Sequence, residues 1–406
     1  MTDNSNSFSY QQGFRNQEIL YKISENKWLD ETEILNFVNY SDPADLLKLS
    51  QYFRNKKSSN IISYSRKVFI NLINLCKDSC SYCTYKKEPS TTDAIMLNPF
   101  QVLSIAEAGH KLKCTEALLV TGERPELKYA EAKRWLNSLG YKTLVELISN
   151  LSETILKKTG LLPHTNAGSL TKKEMAMLKS TNVSLGMMLE NASEKLLDVG
   201  KAHEKAPSKN PKVRIKSLIS AGELKIPITT GILIGIGERF EDIINSLLLI
   251  KKINEQYGNI QEVIIQNFRP KIGTTMENNS SPSDAYFLKC IAISRILLNN
   301  INIQVPPNLS PKIYSNYIHA GINDWGGISP LTPDYVNPEY PWPTIKEVKS
   351  VTNSQGFKLR ARLPIYPEFV VEQKKMDNFV SPVLKEFIEP LIDEKGLVKE
   401  EYFDEY

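Results

Sequence analysis

The sequence predicts an α/β protein whose strands close, or nearly close, into a (β/α)8 TIM-type barrel. Eight short apolar segments alternate with helical patterns along residues 61–335, and no sequence repeat accompanies this alternation. Strands that alternate with helices favour a parallel sheet, and eight such units are enough to close one. We expect an N-terminal extension in residues 1–60, partly disordered and then helical, and a C-terminal wrap with an acidic tail in residues 336–406.

Each strand is predicted from a short apolar run, and each helix from apolar residues at helical spacing. The predicted strands are residues 67–75, 117–120, 161–165, 183–189, 228–236, 263–268 and 301–305, with a last segment at 326–329. The predicted helices cover 31–55 and then begin near Pro125, Thr171, Pro211, Phe240, Ala285 and Tyr314. Proline in a first turn and a Thr171–Glu174 capping pair are signals of helix starts.

Composition narrows the class of protein. The chain has 406 residues, 50 basic against 46 acidic side chains and 41% hydrophobic residues. This charge balance does not demand a nucleic-acid partner. The polar N-terminus lacks the apolar core of a signal peptide, and no apolar run is long enough to span a bilayer. Five cysteines, three of them clustered, do not form a disulfide framework, so we expect a soluble cytoplasmic protein without a membrane partner.

Three cysteines follow the first predicted strand in a CxxxCxxC spacing: Cys76, Cys80 and Cys83. Soft thiolates suit iron–sulfur clusters and zinc. No fourth cysteine completes the run, because the next is Cys114, so one iron of a cubane cluster would stay open to a small molecule. Structural zinc needs four ligands, and no histidine lies at a zinc-like interval. Three free thiols on a surface loop are the other alternative. The spacing favours a catalytic cluster.

Polar residues follow the next four predicted strands, namely Glu123, Asn166, Glu190 and Glu238. Each has an ordinary structural explanation when taken alone, such as a turn, a helix entry or a solvated loop charge. The carboxyl ends of barrel strands meet at one face, where active sites of this architecture form. We therefore expect these side chains to gather near the cysteines.

The cysteine loop resembles the signature of the radical S-adenosylmethionine (SAM) enzymes, CxxxCxΦC, with Tyr82 as the aromatic Φ. The resemblance implies a [4Fe–4S] cluster held by the three cysteines. It also implies that the open iron binds the amino and carboxylate groups of SAM, whose cleavage releases a 5′-deoxyadenosyl radical. An external electron donor is then required.

Further motifs of the family imply which residues contact SAM. Thr121-Gly122-Glu123 resembles the Gly-Gly-Glu motif that binds the SAM ammonium, and Glu190 resembles the carboxylate that holds the ribose. The segment 231–238 is similar to the GxIxGxxE motif at adenine, and Arg214 to an arginine that pairs with the SAM carboxylate. The implied cofactor-binding residues are Tyr82, Thr121, Gly122, Glu123, Asn166, Glu190, Arg214, Gly231, Gly235 and Glu238.

Longer segments resemble one subfamily, 7,8-didemethyl-8-hydroxy-5-deazariboflavin synthase (FO synthase) subunit 1. They are residues 119–126, 203–209, 226–238, 266–271 and 320–330, and the resemblance covers about residues 60–345. It implies a carbon–nitrogen lyase or synthase that makes the deazaflavin of factor 420. The implied substrate is the 4-hydroxybenzyl adduct of 5-amino-6-(D-ribitylamino)uracil, supplied by a companion radical SAM subunit, and ring closure with loss of ammonia completes the reaction.

The substrate contacts are a hypothesis. Polar side chains at the remaining strand ends are candidates for the uracil and ribityl groups, although each can equally satisfy buried backbone: Gln266, Asn267, Arg269, Asn323 and Asp324. A related enzyme of the same branch, such as the companion subunit, a biotin synthase or a hydrogenase-maturation relative, would share the SAM contacts. A non-enzymatic iron–sulfur carrier would not need the surrounding carboxylates and should have a fourth cysteine.

Overall fold

A closed barrel of eight parallel strands forms the centre of the protein. The computed structural model of the chain describes residues 17–19, 21, 22, 25 and 31–403. Its strands are β1 (Ile61–Ile73), β2 (Glu116–Thr121), β3 (Leu162–Asn166), β4 (Ser184–Gly186), β5 (Ile228–Ile234), β6 (Ile260–Asn267), β7 (Asn302–Gln304), β8 (Asp324–Ile328) and β9 (Lys358–Arg362). Strands β1 to β8 pair in chain order, and β1 pairs with both β8 and β2, which closes the ring. The predicted (β/α)8 barrel is confirmed.

Helices lie between the strands and at both ends of the chain. They are α1 (Glu31–Tyr40), α2 (Pro43–Ser58), α3 (Pro99–Lys111), α4 (Ala130–Ser138), α5 (Leu144–Thr159), α6 (Lys172–Leu178), α7 (Pro211–Glu223), α8 (Phe240–Tyr257), α9 (Asp284–Leu297), α10 (Asn316–Ala320), α11 (Ile345–Ser354), α12 (Gln373–Phe379) and α13 (Pro382–Ile388). The helix expected in 31–55 is present as α1 and α2. The disorder expected at the start of the chain lies outside the described residues. In the part that is described, no helix is long and apolar enough to cross a membrane.

Between β1 and β8, two helices were not among the predicted elements. Helix α3 begins at a capping box formed by Asn98 and Gln101, and α5 begins at one formed by Thr143 and Glu146. In each box the side chain of the first residue accepts a hydrogen bond from the backbone N–H of the second. The side chain of the second residue accepts one from the backbone N–H of the first. The long interval between the cysteine loop and β2 is therefore partly helical, and so is the interval before β3.

Strand boundaries shift most at β1 and β4. Strand β1 begins at Ile61, six residues before the predicted start, because its first half pairs with β8 and β9. Strand β4 has only three residues, whereas seven were predicted. The chain then turns sharply, with a φ of 64° at Glu190. A positive φ is uncommon outside glycine and ends a regular strand.

The ninth strand closes the amino end of the barrel. Strand β9 pairs in parallel with β1 from Ile61 to Ser65, below the point at which β2 begins to pair. At the last residue of β9, the guanidinium of Arg362 is bonded to Glu262 and Asp324 inside the barrel. The wrapping tail that the sequence indicated therefore contributes a strand and a buried cation to the barrel itself.

Candidate active site at the carboxyl end of the barrel

A cavity of about 340 Å³ occupies the barrel interior. At its carboxyl end it is lined by the three cysteines of the loop after β1, and at its amino end by Glu262 and Arg362. The loops after the strands thus surround one continuous space that reaches down to the closing strand. Active sites of (β/α)8 barrels form at this carboxyl end.

The end of β2 fixes the base of the cysteine loop. The N–H of Gly122 donates to Ile73 O (2.8 Å), and the N–H of Glu123 donates to the sulfur of Cys76 (3.2 Å). Any Cβ at position 122 would collide with Leu75 O, so only glycine allows this close approach. Hydrogen bonds to cluster sulfurs are a known means of tuning an iron–sulfur centre.

The outer part of the loop is held by a neighbouring segment. The backbone N–H groups of Ser79 and Ser81 donate to carbonyls in residues 202–205, at 2.8 and 2.9 Å. The hydroxyl of Tyr82 lies 3.1 Å from His203 Nε2, and the two rings meet edge to face. Burial lowers the pKa of His203 to about 4, so the imidazole is neutral near pH 7 and can accept from the phenol. The loop is therefore fixed along its length.

The donor set fits the [4Fe–4S] cluster that the sequence predicts. All three thiols are partly exposed and line the same cavity. Burial raises the pKa of Cys76 to about 11 and that of Cys80 to about 12, so the thiolates need a bound cation to form near pH 7. In the described residues no three His, Cys, Asp or Glu side chains meet closely enough to hold a single metal ion.

Two buried polar atoms beside the thiols have no hydrogen-bond partner in the described chain. They are Thr121 Oγ1 and Asp78 Oδ2, and both residues line the cavity. Buried polar atoms are normally satisfied, so a polar ligand is expected here. Thr121 is one of the residues that the sequence assigned to SAM. The structure brings it, Gly122 and Glu123 to the cavity wall.

Glu123 is a buried carboxylate held in a fixed orientation. The N–H of Ser169 donates to both of its oxygens, at 3.2 and 3.0 Å, and Arg214 Nη2 lies 3.5 Å from Oε2. Gly168 has a φ of 73°, and a Cβ there would collide with the carboxylate, so glycine is required on both grounds. Burial raises the pKa of Glu123, and the Arg214 charge opposes that rise.

Arg214 was predicted to bind SAM, and it lies in the site. Its side chain is 4% exposed. Nε donates to Ser208 O at 2.8 Å, and Nη1 donates to Met188 O at 3.0 Å. These two bonds fix the guanidinium plane against Glu123. A buried, oriented arginine of this kind suits recognition of a carboxylate.

Glu190 faces the same cavity from the turn after β4. Lys209 Nζ donates to its Oε1 at 2.5 Å, which leaves Oε2 available. Burial raises the pKa of the Glu190 carboxyl, but the charge of Lys209 and its hydrogen bond outweigh burial, so the pKa is below its ordinary value. Asn166, at the end of β3, and Tyr82 also line this space.

The motif in residues 231–238 makes its contacts within the protein. Glu238 accepts from the backbone N–H groups of Gly235 and Ile236, at 2.7 and 2.8 Å, so its carboxylate ties its own loop. A Cβ at Gly231 would collide with Ile264 O, and one at Gly235 would meet Pro282. Close packing within the protein therefore explains these residues, and they do not line the cavity.

Three of the five substrate candidates line the cavity, namely Gln266, Asn267 and Arg269. Arg269 Nε donates to Leu309 O at 2.6 Å, and its Nη2 donates to Ser310 at 2.7 Å. Asn267 also contacts Ser310, and turning its amide lets the oxygen accept from Arg269. Two of the three are thus already engaged with the turn after β7.

Asn323 and Asp324, the other two substrate candidates, do not line the cavity. Asn323 Oδ1 accepts from Arg295 Nη2 at 2.6 Å. Asp324 begins β8 at the amino end of the barrel, where it accepts from Ser63 (2.5 Å) and from Arg362 (2.6 Å). The sequence placed both residues near the end of a strand, whereas β8 starts at Asp324.

Sequence reasoning missed several cavity residues. Lys209 lines the cavity and His203 contacts Tyr82, and both lie in the segment 203–209, for which the sequence indicated no role. Lys67 and Glu116 point into the barrel from β1 and β2. The available signal was a charged side chain within a strand that is otherwise apolar, since charged residues are almost never fully buried without a reason.

Comparisons with known proteins show which proteins the chain resembles. Residues 70–250 match the family model of the Radical SAM superfamily. A protein of Methanopyrus kandleri named 7,8-didemethyl-8-hydroxy-5-deazariboflavin synthase is 44% identical over 339 residues, which are 84% of this chain and 100% of that protein. A Methanocaldococcus jannaschii protein of the same name is 45% identical over 357 residues, or 88% of this chain and 98% of the relative.

Solved structures support the fold. The FeFe-hydrogenase maturase HydG from Carboxydothermus hydrogenoformans superposes with a TM-score of 0.71 at 18% identity, covering 88% of this chain and 81% of that one. Methylornithine synthase (PylB) gives a TM-score of 0.64 at 19% identity, covering 83% and 96%. At these identities the likeness concerns the barrel architecture alone.

Proposed function

Because the chain belongs to the 7,8-didemethyl-8-hydroxy-5-deazariboflavin (FO) synthase family of radical SAM enzymes, we propose that it forms FO for factor 420. Its substrate would be the 4-hydroxybenzyl adduct of 5-amino-6-(D-ribitylamino)uracil. The observation that carries this proposal is identity of 44–45% along essentially the full length of two relatives with that name. Ring closure and ammonia loss make the enzyme a carbon–nitrogen lyase.

Cys76, Cys80 and Cys83 hold the [4Fe–4S] cluster, and the neighbouring strand ends hold SAM. When bound, this pair supplies the 5′-deoxyadenosyl radical that takes a hydrogen atom from the adduct. The protein's contribution is binding, orientation and exclusion of water. The support for this arrangement is that the thiols, Glu123 and Glu190 line one cavity.

Charge complementarity assigns the SAM contacts. Glu123 accepts hydrogen bonds from the SAM ammonium, while Arg214 beside it donates to the SAM carboxylate. Their 3.5 Å separation lets one zwitterionic group meet both charges. Glu190 Oε2 accepts from the ribose hydroxyls, because Lys209 already occupies Oε1. Thr121 Oγ1, which lacks a partner in the described chain, is available to the same ligand.

The amino end would serve the radical chemistry by limiting access of water. Arg362 and its buried partners Glu262 and Asp324 occupy the barrel at that end of the cavity. We further propose that a companion radical SAM subunit supplies the adduct and that an external donor supplies the electron. The cytoplasm is the compartment that keeps the cluster thiols reduced.

The test combines reconstituted protein with SAM, a reductant and the adduct made by a companion subunit. Fluorescent FO together with 5′-deoxyadenosine is the expected result. Turnover of 5-amino-6-(D-ribitylamino)uracil and tyrosine by this chain alone would instead assign it the companion's reaction. SAM cleavage without either product would contradict the proposed substrate.

A further inference from the structure

Lys67 is a buried lysine inside the barrel for which the structure shows no ionic partner. The residue is 8% exposed, points inward from β1 and lines the cavity. Its Nζ lies over the faces of two aromatic rings, 4.9 Å from the Trp342 centroid and 5.4 Å from the Phe69 centroid. Within residues 31–403 it has no hydrogen bond or ion pair. A buried ammonium without such a partner is costly, so its presence requires an explanation.

The carboxylates nearest to Lys67 are engaged elsewhere. Glu116 accepts from Ser65, and Glu262 is paired with Arg362 at 3.0 Å. Asp334 accepts from Asn308 at 2.9 Å and from two backbone N–H groups. These carboxylates act on Lys67 only through space, and burial lowers its pKa despite them. The ammonium therefore retains unused donor capacity toward the cavity.

The backbone of β8 makes room for this lysine. A Cβ at Gly327 would collide with Cδ and Cε of Lys67 and come within 2.6 Å of Nζ. Gly327 does not have a positive φ, so backbone conformation does not require glycine there. A side chain at position 327 would instead prevent the close approach of the Lys67 side chain. Gly327 thus leaves room for the ammonium at this position.

The depth of Lys67 matches an elongated substrate. Lys67 is six residues before the end of β1, about 20 Å along a strand at roughly 3.3 Å per residue. The cysteines follow that strand end, so a ligand in the cavity has one end near the thiols and the other near Lys67. The ammonium rests on the two aromatic faces and can donate from its other side to the carbonyl oxygens of a ring.

We propose that Lys67 binds the pyrimidinedione carbonyl oxygens of the substrate and thereby fixes the deep end of the cavity as the uracil subsite. Gly327 acts as a positioning residue for Lys67. This inference rests on the proposed function, because the pyrimidinedione belongs to the proposed substrate. Under this proposal Lys67 recognises the ring of the substrate and not its ribityl chain.

Binding of the product tests the inference without turnover. The probes are FO and a deazaflavin with the same ring system but a methyl group in place of the ribityl chain. Their affinity for reconstituted protein is measured by fluorescence anisotropy. Lys67→Met should weaken binding of both probes by at least about 10-fold, the scale of a lost hydrogen bond to a charged group. SAM affinity and iron content should be unchanged.

Gly327→Ala retains the charge of Lys67 but displaces its side chain. The variant should weaken the binding of both probes by about 3-fold to 10-fold. If Lys67→Met does not fold, this second variant decides. Lys57→Met is the matched control, since Lys57 is a part-buried lysine outside the cavity that pairs with Glu368 at 3.1 Å. It should leave both affinities unchanged.

Three results would overturn the inference. The first is that both variants bind the probes with unchanged affinity while the wild-type enzyme makes FO. The proposed function would then remain valid. Another is a loss seen for FO but not for the methyl analogue, which would place Lys67 at the ribityl chain. The third is wild-type protein that neither makes nor binds FO, in which case the proposed function fails as well.

Discussion

At the amino end of the barrel, Arg362 is paired with Glu262 and Asp324, whose side chains are 6% and 0% exposed. At the carboxyl end, three partly exposed thiols face a cavity, and Thr121 Oγ1 is buried without a partner in the described chain. One end satisfies its charged groups within the protein. The carboxyl end also contains buried ion pairs, Glu123 with Arg214 and Glu190 with Lys209, but it leaves the thiols and Thr121 Oγ1 for a ligand.

This difference separates stability from function. Removing a partner from a satisfied buried pair leaves an uncompensated charge, so changes at the amino end should destabilise the fold. Groups that await a ligand contribute little to the folded apo-protein, so changes to the thiols and to Thr121 should alter binding instead. Lys67 lies between the two ends and shares features of both, being buried like the first and unpaired like the second.

The largest expected effect is at the carboxyl end. Cys76→Ala removes one of three iron ligands and should abolish both iron retention and SAM cleavage. The free energy of unfolding of the apo-protein should change by less than about 1 kcal/mol, because the thiol is partly exposed and not in the core. Iron analysis and denaturant titration measure the two quantities. Cys114→Ala, in a buried thiol outside the cavity, is the control that should retain iron.

The opposite pattern is expected at the amino end. Arg362→Met leaves Glu262 and Asp324 without their cation and should cost about 3–5 kcal/mol of unfolding free energy. Urea titration measures this, and SAM affinity of the folded variant should be retained. Lys172→Met breaks an exposed pair with Glu223, 55% and 42% exposed, and should cost less than about 1 kcal/mol. Equal stability of the two variants would contradict the distinction between the ends.

The sequence predicted the carboxyl end well because its signals are local. Cys76, Cys80 and Cys83 lie within one loop, and Glu123 and Glu190 directly follow recognisable apolar strands. The alternation of strands with helices alone was enough to predict the closed barrel. A short motif at a strand end requires only that the strand be placed correctly, and β2 to β6 were placed to within three residues at nearly every boundary.

The amino end was not predictable in the same way. Arg362 lies 100 residues from Glu262 and 38 residues from Asp324 in the sequence. The local sequence Lys358–Arg362 is typical of an ordinary exposed, charged segment. The burial of Arg362 depends on pairing between strands that no local pattern reveals. The position of Asp324 at the start of β8 was not predicted for the same reason, since it depends on register. Glu238 shows that a motif residue can serve its own loop.

A smaller effect sharpens the description of the carboxyl end. Glu123→Gln and Glu190→Gln should each weaken SAM binding by about 1–3 kcal/mol, because a hydrogen bond to a charged group is lost. Equilibrium binding of SAM to reconstituted protein measures this, with iron content unchanged. The control is Glu174→Gln, a carboxylate outside the cavity that pairs with Arg124 at 2.8 Å. Normal SAM binding with lost turnover would mean that the assigned roles are wrong.

A further expected effect is a pH dependence near the amino end. His164 Nδ1 lies 2.6 Å from Ser184, whose hydroxyl donates to Pro364 O beyond β9. Burial lowers the pKa of His164 from 6.5 to about 4. Between these values the unfolded chain binds a proton that the folded chain does not, so stability is present above pH 6.5 and is lost as the pH falls toward 4.

His164→Asn should therefore reduce the slope of unfolding free energy against pH in this window by about one proton, or about 1.4 kcal/mol per pH unit. Urea titrations of wild type and variant at several pH values between 4 and 6.5 measure the difference. Identical slopes would show that His164 takes up its proton in the folded state as readily as in the unfolded chain.

The central claim is that the carboxyl end holds a cluster with one iron open to SAM. Electron paramagnetic resonance of the reduced, anaerobically reconstituted protein tests it most directly, with about four irons per chain as the starting condition. Addition of SAM should change the signal in wild type, and the change should weaken in Glu123→Gln. A spectrum that SAM leaves unaltered, or zinc recovered in place of iron, would contradict the account.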